Sequence, residues 1–231
     1  MKNFIIMIIL SFILPVPMMA QERPLTAVVW INQAITQYEK DDFADAALSF
    51  EKGYDLSGIK NPDHLYYAAV CHVQAQAPEN ALAIFNRLIK AHPDHITLSF
   101  KETLVNILFS LERYKDALPY LEQLAEKSGK DQQKNWQEIL LYQYFSLGMN
   151  DKALAYAGFL TKTDMLESKW WKALCHIHLN NQDYEKGLTA LIIYGYLTPM
   201  TQEELRLTAD LYLTLGISAK AEQIYEQIKA Q

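Results

Sequence analysis

Apolar residues recur at three- and four-residue steps through segments of about 12–16 residues, and short polar stretches separate these segments. Trp30, Ala34 and Tyr38 fall four apart, on one face of a helix. Asp41 and Asp42 interrupt the pattern, and Phe43, Ala46, Phe50 and Gly53 resume it. The same helix–turn–helix unit returns with Leu65, Ala68 and Ala69 before Ala81, Phe85 and Leu88, and with Leu104, Val105 and Leu108 before Ala117, Leu121 and Leu124. It returns again with Leu140, Leu141 and Tyr144 before Ala153, Ala157 and Leu160, and with Trp171, Leu174 and Cys175 before Gly187, Leu191 and Tyr194. Leu205, Ala209 and Tyr212 before Ala221, Tyr225 and Ile228 close the series. Breakers agree with this division. Gly148 and Gly216 lie at turns, Pro78 suits a first helical turn, Pro93 and Pro199 act as stops, and Ser128 to Asp131 reads as a polar loop. The pattern predicts twelve helices in six pairs, near 27–60, 62–95, 98–131, 134–167, 168–201 and 202–231.

One position in each pair is small. Ala46, Ala81, Ala117, Ala153, Gly187 and Ala221 are separated by 35, 36, 36, 34 and 34 residues. Two antiparallel helices joined by a tight turn nearly touch, and a side chain larger than methyl at the crossing would hold them apart. Such a period is the mark of a repeat array, an all-α solenoid over 21–231 in which each unit buries its apolar face only against its neighbours.

These residues resemble the tetratricopeptide repeat. Trp30 and Trp171 match its leading Trp, and Tyr144 and Tyr212 match its first-helix Tyr. The small ladder, Phe50, Phe85 and Tyr225 after it, and Pro93 and Pro199 at the close match the remainder, while the Leu-Gly pair is mostly replaced. The resemblance implies a right-handed superhelix and a non-catalytic, protein-binding role. In such proteins the first helices line a concave groove that holds a peptide or helix. Transferred by register, that groove takes in Tyr66, Glu102, Asn106, Glu138, Tyr142, Lys172 and His176. The alternative is that some of these pack against the neighbouring first helix. Trp171 is expected in the core, and Trp170, turned to another face, is either an exposed interface anchor or ordinary packing.

Composition narrows the partner. The formal net charge is −6 and no basic run occurs, which argues against a nucleic-acid binder. The N-terminus carries Lys2, an apolar stretch from Phe4 to Leu14, a segment broken by Pro15 and Pro17, and Ala20 before polar sequence. That is the form of a secretory signal peptide over 1–20, cleaved after Ala20. An uncleaved membrane anchor is the alternative. After cleavage no integral span is expected. The reading is of an exported, periplasmic protein with a protein or peptide partner in the cell envelope.

Cys71 and Cys175 fall three repeats apart, on the order of 30 Å from packed helices about 8–10 Å apart. A disulfide is therefore not expected. Cys71 with His72, and Cys175 with His176, invite a metal or thiol-enzyme reading, but adjacent helical residues diverge and neither pair forms a four-ligand site. His92 and His95 flank Pro93 in what reads as a solvated loop. No catalytic residue, cofactor or metal is assigned. Residues 170 to about 221, including Tyr184 to Lys186 and Gly195 to Thr198, resemble repeat proteins that accompany TonB–ExbB–ExbD energy-transducing systems. That resemblance implies a scaffold or adaptor in TonB-dependent transduction. An assembly factor for outer-membrane, cell-wall or secretion complexes is the alternative.

Overall fold

Twelve α-helices and one short 3-10 turn, Pro93–His95, account for most of the residues described by the computed structural model, which are 22–229. The fold is the all-α helical repeat expected from the pattern, with no strand among the described residues. The expected leader, 1–20, lies outside them. The chain divides into two compact units, Met1–Arg113 and Tyr114–Gln231. The first holds α1 (Glu22–Tyr38), α2 (Phe43–Leu56), α3 (Pro62–Gln74), α4 (Pro78–Ala91) and α5 (Leu98–Ser110). The second holds α6 (Tyr114–Lys127), α7 (Lys130–Ser146), α8 (Asn150–Thr163), α9 (Ser168–Asn180), α10 (Tyr184–Leu197), α11 (Gln202–Thr214) and α12 (Ser218–Lys229). Within each unit, every helix packs on the next one in the chain.

Local chemistry explains most boundaries. Pro62 and Pro78 open α3 and α4, where a missing N–H is harmless. Asn61 and Thr97 accept hydrogen bonds from the Asp63 and Phe100 amides at the starts of α3 and α5. Thr201 and Glu204 form a reciprocal capping box on α11. The polar run 128–131 is not a loop throughout, because Lys130 and Asp131 already belong to α7. Gln133 explains this: its Nε2 donates to the Ala125 and Glu126 carbonyls at 3.1 and 3.0 Å, satisfying the end of α6 from the first turn of α7.

The small ladder is buried at every rung: Ala46, Ala81, Ala117 and Ala153 expose nothing, Ala221 1%, and Gly187 is also buried. At Gly187 a Cβ would lie 2.6 Å from Leu179 Cδ2, so a methyl there would make the Leu179 side chain shift.

A second ladder runs five residues ahead of the first. Asp41, Gln76, Glu112, Gly148, Gln182 and Gly216 all have positive φ, of 62°, 56°, 56°, 69°, 61° and 75°. After each, the next amide reaches back to a carbonyl five residues before it. Asp42, Ala77, Arg113, Met149, Asp183 and Ile217 donate to Gln37, His72, Leu108, Tyr144, His178 and Tyr212 at 2.8–2.9 Å. This is the Schellman closure, repeated six times. It ends each first helix and reverses the chain, and within each unit the rung then meets its partner helix.

The core is aliphatic and aromatic. In the second unit Cys175, Leu188, Ala190, Leu191, Tyr194 and Leu211 form a buried cluster, against which Trp171, Leu174, Leu179 and Leu207 pack. In the first unit Leu65, Cys71, Phe85 and Leu88 are fully buried.

Candidate interaction face

Within each unit, first helices meet at a joint in which, at α3–α5 and α9–α11, the fifth residue of one, counted in repeat register, faces the third residue of the next. In the first unit Tyr66 of α3 stacks on Phe100 of α5, with centroids 4.1 Å apart and planes 7° apart, and its hydroxyl hydrogen-bonds Thr103 at 3.2 Å. In the second unit Lys172 of α9 donates to Glu204 of α11 at 2.6 Å. Lys169 of α9 pairs with Glu138 of α7 at 2.9 Å, and Lys134 at the start of α7 pairs with Asp164 and Glu167 at 2.7 and 2.9 Å. The Lys169 and Lys134 pairs are largely exposed, and such pairs contribute about 0–1 kcal/mol, so they set register more than stability.

Glu204 is the best-satisfied of these groups. Burial pushes its pKa up, but Lys172, the Thr201 amide and the Tyr194 hydroxyl together outweigh that and bring it down to about 2. The Lys172 ammonium is held above its ordinary value mainly by the Glu204 hydrogen bond.

The joint sorts the candidates. Tyr66, Glu138 and Lys172 are engaged by neighbouring first helices. Glu102 is half-buried on α5. Asn106, Tyr142 and His176 are exposed, Tyr142 by 65%. Desolvation, then the Lys172 charge, lowers the pKa of His176, with Glu204 opposing. Trp170 must be withdrawn as a surface anchor, because it is only 1% exposed. It occupies the third position of its first helix, the place of Phe100 in α5 and Glu204 in α11, both also buried. Trp171, placed in the core by sequence, is half-buried, and its Nε1 donates to the Met165 carbonyl at 2.8 Å.

The same helical faces carry apolar residues that the charged register overlooked. Ile35 and Tyr38 on α1, Phe145 on α7 and Leu213 on α11 are 46%, 41%, 37% and 48% exposed. Their signal was the turn-end position of each first helix, which also holds Val73 and Leu179.

The Cys-His pairs separate. Cys71 and Cys175 are free and buried, and burial pushes each thiol up to about 11. His72 turns to Glu51 of α2, with Nε2 3.1 Å from its carboxylate. No cluster of three or more His, Cys, Asp or Glu suited to a metal occurs among the described residues. His92 is not simply solvated, since its Nε2 lies 2.8 Å from the Tyr54 hydroxyl.

Helix pairs in fixed register, a small-residue crossing and a reversed turn define an all-α helical repeat protein. Residues 31–96 match the tetratricopeptide repeat model. No curated protein matches the chain in sequence. Among solved structures it is similar to YrrB, a TPR protein, at TM-score 0.56 and 20% identity, covering 80% of this chain and 93% of YrrB. It is also similar to MamA, at TM-score 0.52 and 12% identity, covering 70% of this chain and 92% of MamA. The repeat match supports the tetratricopeptide repeat reading over 31–96, and these likenesses show the all-α repeat fold. No helix among the described residues is long and apolar enough to cross a membrane.

Proposed function

We propose that this protein is an exported, non-catalytic adaptor that binds a polypeptide partner in the cell envelope through its first-helix faces. The observation that carries this reading is the exposed aromatic and apolar set on those faces: Ile35, Tyr38, Tyr142, Phe145 and Leu213. Side chains that served only the fold would be covered by neighbouring helices, as Tyr66 and Trp170 are. YrrB, described as having an unusual peptide-binding site, is a precedent for this fold in that role. The N-terminal pattern of Lys2, Phe4 to Leu14 and Ala20 supports export. The likeness of 170 to about 221 to TonB-associated repeat proteins supports the narrower version, an adaptor in TonB-dependent energy transduction.

A photo-crosslinking residue at Tyr142, introduced into the full chain in its own cells, tests this. An adduct in the envelope fraction is expected, and the narrower version requires a component of a TonB–ExbB–ExbD system within it. Adducts only with assembly or secretion components would replace the narrower version. Adducts confined to the cytosol, or none, would overturn the proposal.

A further inference from the structure

The joint between first helices is filled at Tyr66–Phe100 by a stacked pair and at Lys172–Glu204 by an ion pair. At the first joint the corresponding residues are Ile31 of α1 and His64 of α3. Two adjoining clefts of about 410 and 380 Å³ open there, and both are lined by Ile31 and His64. Each is the size of an ordinary ligand pocket.

The floor of these clefts is fixed. Gly53 of α2 lies under Ile31, where an added Cβ would come within 2.7 Å of Ile31 Cγ1, and Phe50 continues the floor. The walls are Ile35, Tyr38 and Tyr67, which remain 46%, 41% and 49% exposed. His64 Nδ1 is buried in the wall without a hydrogen-bond partner. Such an atom is costly to leave unpaired. Burial holds the imidazole below its ordinary pKa against the pull of Asp63. Asp63 is the one charged residue lining either cleft among the described residues. The nearby cations are committed elsewhere. Lys60 Nζ donates to the Tyr54 and Asp55 carbonyls at 2.7 and 2.8 Å, and Lys52 Nζ sits 3.9 Å over the Trp30 ring.

We propose that the α1–α3 cleft receives one large apolar side chain of a bound polypeptide, next to a basic residue of that polypeptide that meets Asp63. This deepens the function proposed above and rests on it. The apolar walls and floor take the anchor. An acyl chain or a hydrocarbon would bring no cation to Asp63. The lone carboxylate selects a cationic flank over an acidic one.

The test is to pan a displayed library of random peptides on the full chain and measure synthetic copies of the enriched peptides by fluorescence anisotropy. Enriched peptides should place an aromatic or aliphatic residue beside Lys or Arg. Ile35→Asp should weaken their binding by about tenfold or more, with the circular-dichroism spectrum unchanged. Asp63→Asn should erase the preference for a basic over a neutral flank while the anchor still binds. Tyr196→Ala, at an 86% exposed site on the second helix α10, should leave this binding intact. Peptides that bind without such a pair, or lose affinity with Tyr196→Ala but not with Ile35→Asp, would overturn the cleft assignment and leave the polypeptide-binding reading standing. Enrichment of no peptide would overturn both.

Discussion

Replacing the side-chain-bearing residues of the positive-φ ladder by glycine should stabilise the protein, and replacing its glycines by alanine should do the reverse. A residue with a Cβ in the left-handed region carries a cost of about 1–2 kcal/mol. Glycine removes that cost but surrenders about 0.4–1 kcal/mol of unfolded-chain entropy. Gln76, Glu112 and Gln182, at φ of 56°, 56° and 61°, should each gain about 0.5–1 kcal/mol as glycine. Asp41 should gain least, since Asp tolerates this region better. Gly148→Ala and Gly216→Ala should each lose about 1 kcal/mol. Those two sites isolate the backbone effect, because nothing lies within 4 Å of a Cβ built at either. The turns sit in different repeats, so the three gains should add to about 1.5–3 kcal/mol. Urea unfolding followed by circular dichroism reads them as midpoint shifts at constant slope. Midpoints for Gly148→Ala and Gly216→Ala that match the parent, or a loss on Gln76→Gly, would refute the account of how these turns close.

Other outcomes can be checked in the same assays. Ala153→Leu, at a fully buried rung where α8 packs on α7, should overpack the crossing and cost about 1–3 kcal/mol by thermal melt. Leu88→Ala, at a site with no exposed surface, should cost about 2–5 kcal/mol. Glu204 titrates from an ordinary 4.5 when unfolded to about 2 when folded. Its contribution is therefore complete above about pH 4.5 and is lost as pH falls toward 2. Glu204→Gln should cost about 1–2 kcal/mol at pH 7 and flatten that part of the stability–pH profile. Tyr142→Ala should change stability by less than about 0.5 kcal/mol, since the ring is 65% exposed, while depleting the envelope adducts formed by a photo-crosslinking residue placed at Phe145.

Some of this was legible in the chain because steric exclusion leaves a compositional trace. A helix crossing that admits only a methyl or a hydrogen must show Ala or Gly, so Ala46 through Ala221 could be read directly. The turn ladder left no such trace at Asp41, Gln76, Glu112 and Gln182, where strained residues look ordinary, and only Gly148 and Gly216 announced it. The joint was hidden for another reason. It couples residues more than thirty positions apart, Tyr66 to Phe100 and Lys172 to Glu204, by a stack in one case and an ion pair in the other. No single chemistry repeats there, so the groove register could not separate Tyr66, Glu138 and Lys172 from side chains free to meet a partner. The repeat pattern marks one Trp position and says nothing about its neighbour, so Trp170 stayed open between anchor and packing while Trp171 was placed too deep. Helix starts at Glu22 and Lys130 escaped because polar first turns carry no hydrophobic period.

The two buried thiols, one in each unit, turn the molecule into its own stopwatch. Cys71 and Cys175 are shielded and protonated at neutral pH, with burial pushing both up to about 11. Neither reacts with a chromogenic disulfide until its surroundings part. The rate of modification then counts opening events rather than intrinsic reactivity. Cys71→Ala leaves a reporter only in 114–231, and Cys175→Ala leaves one only in the first unit. Ligand that clamps α1 against α3 would slow the Cys71 clock alone, which gives a label-free view of where an unknown partner docks.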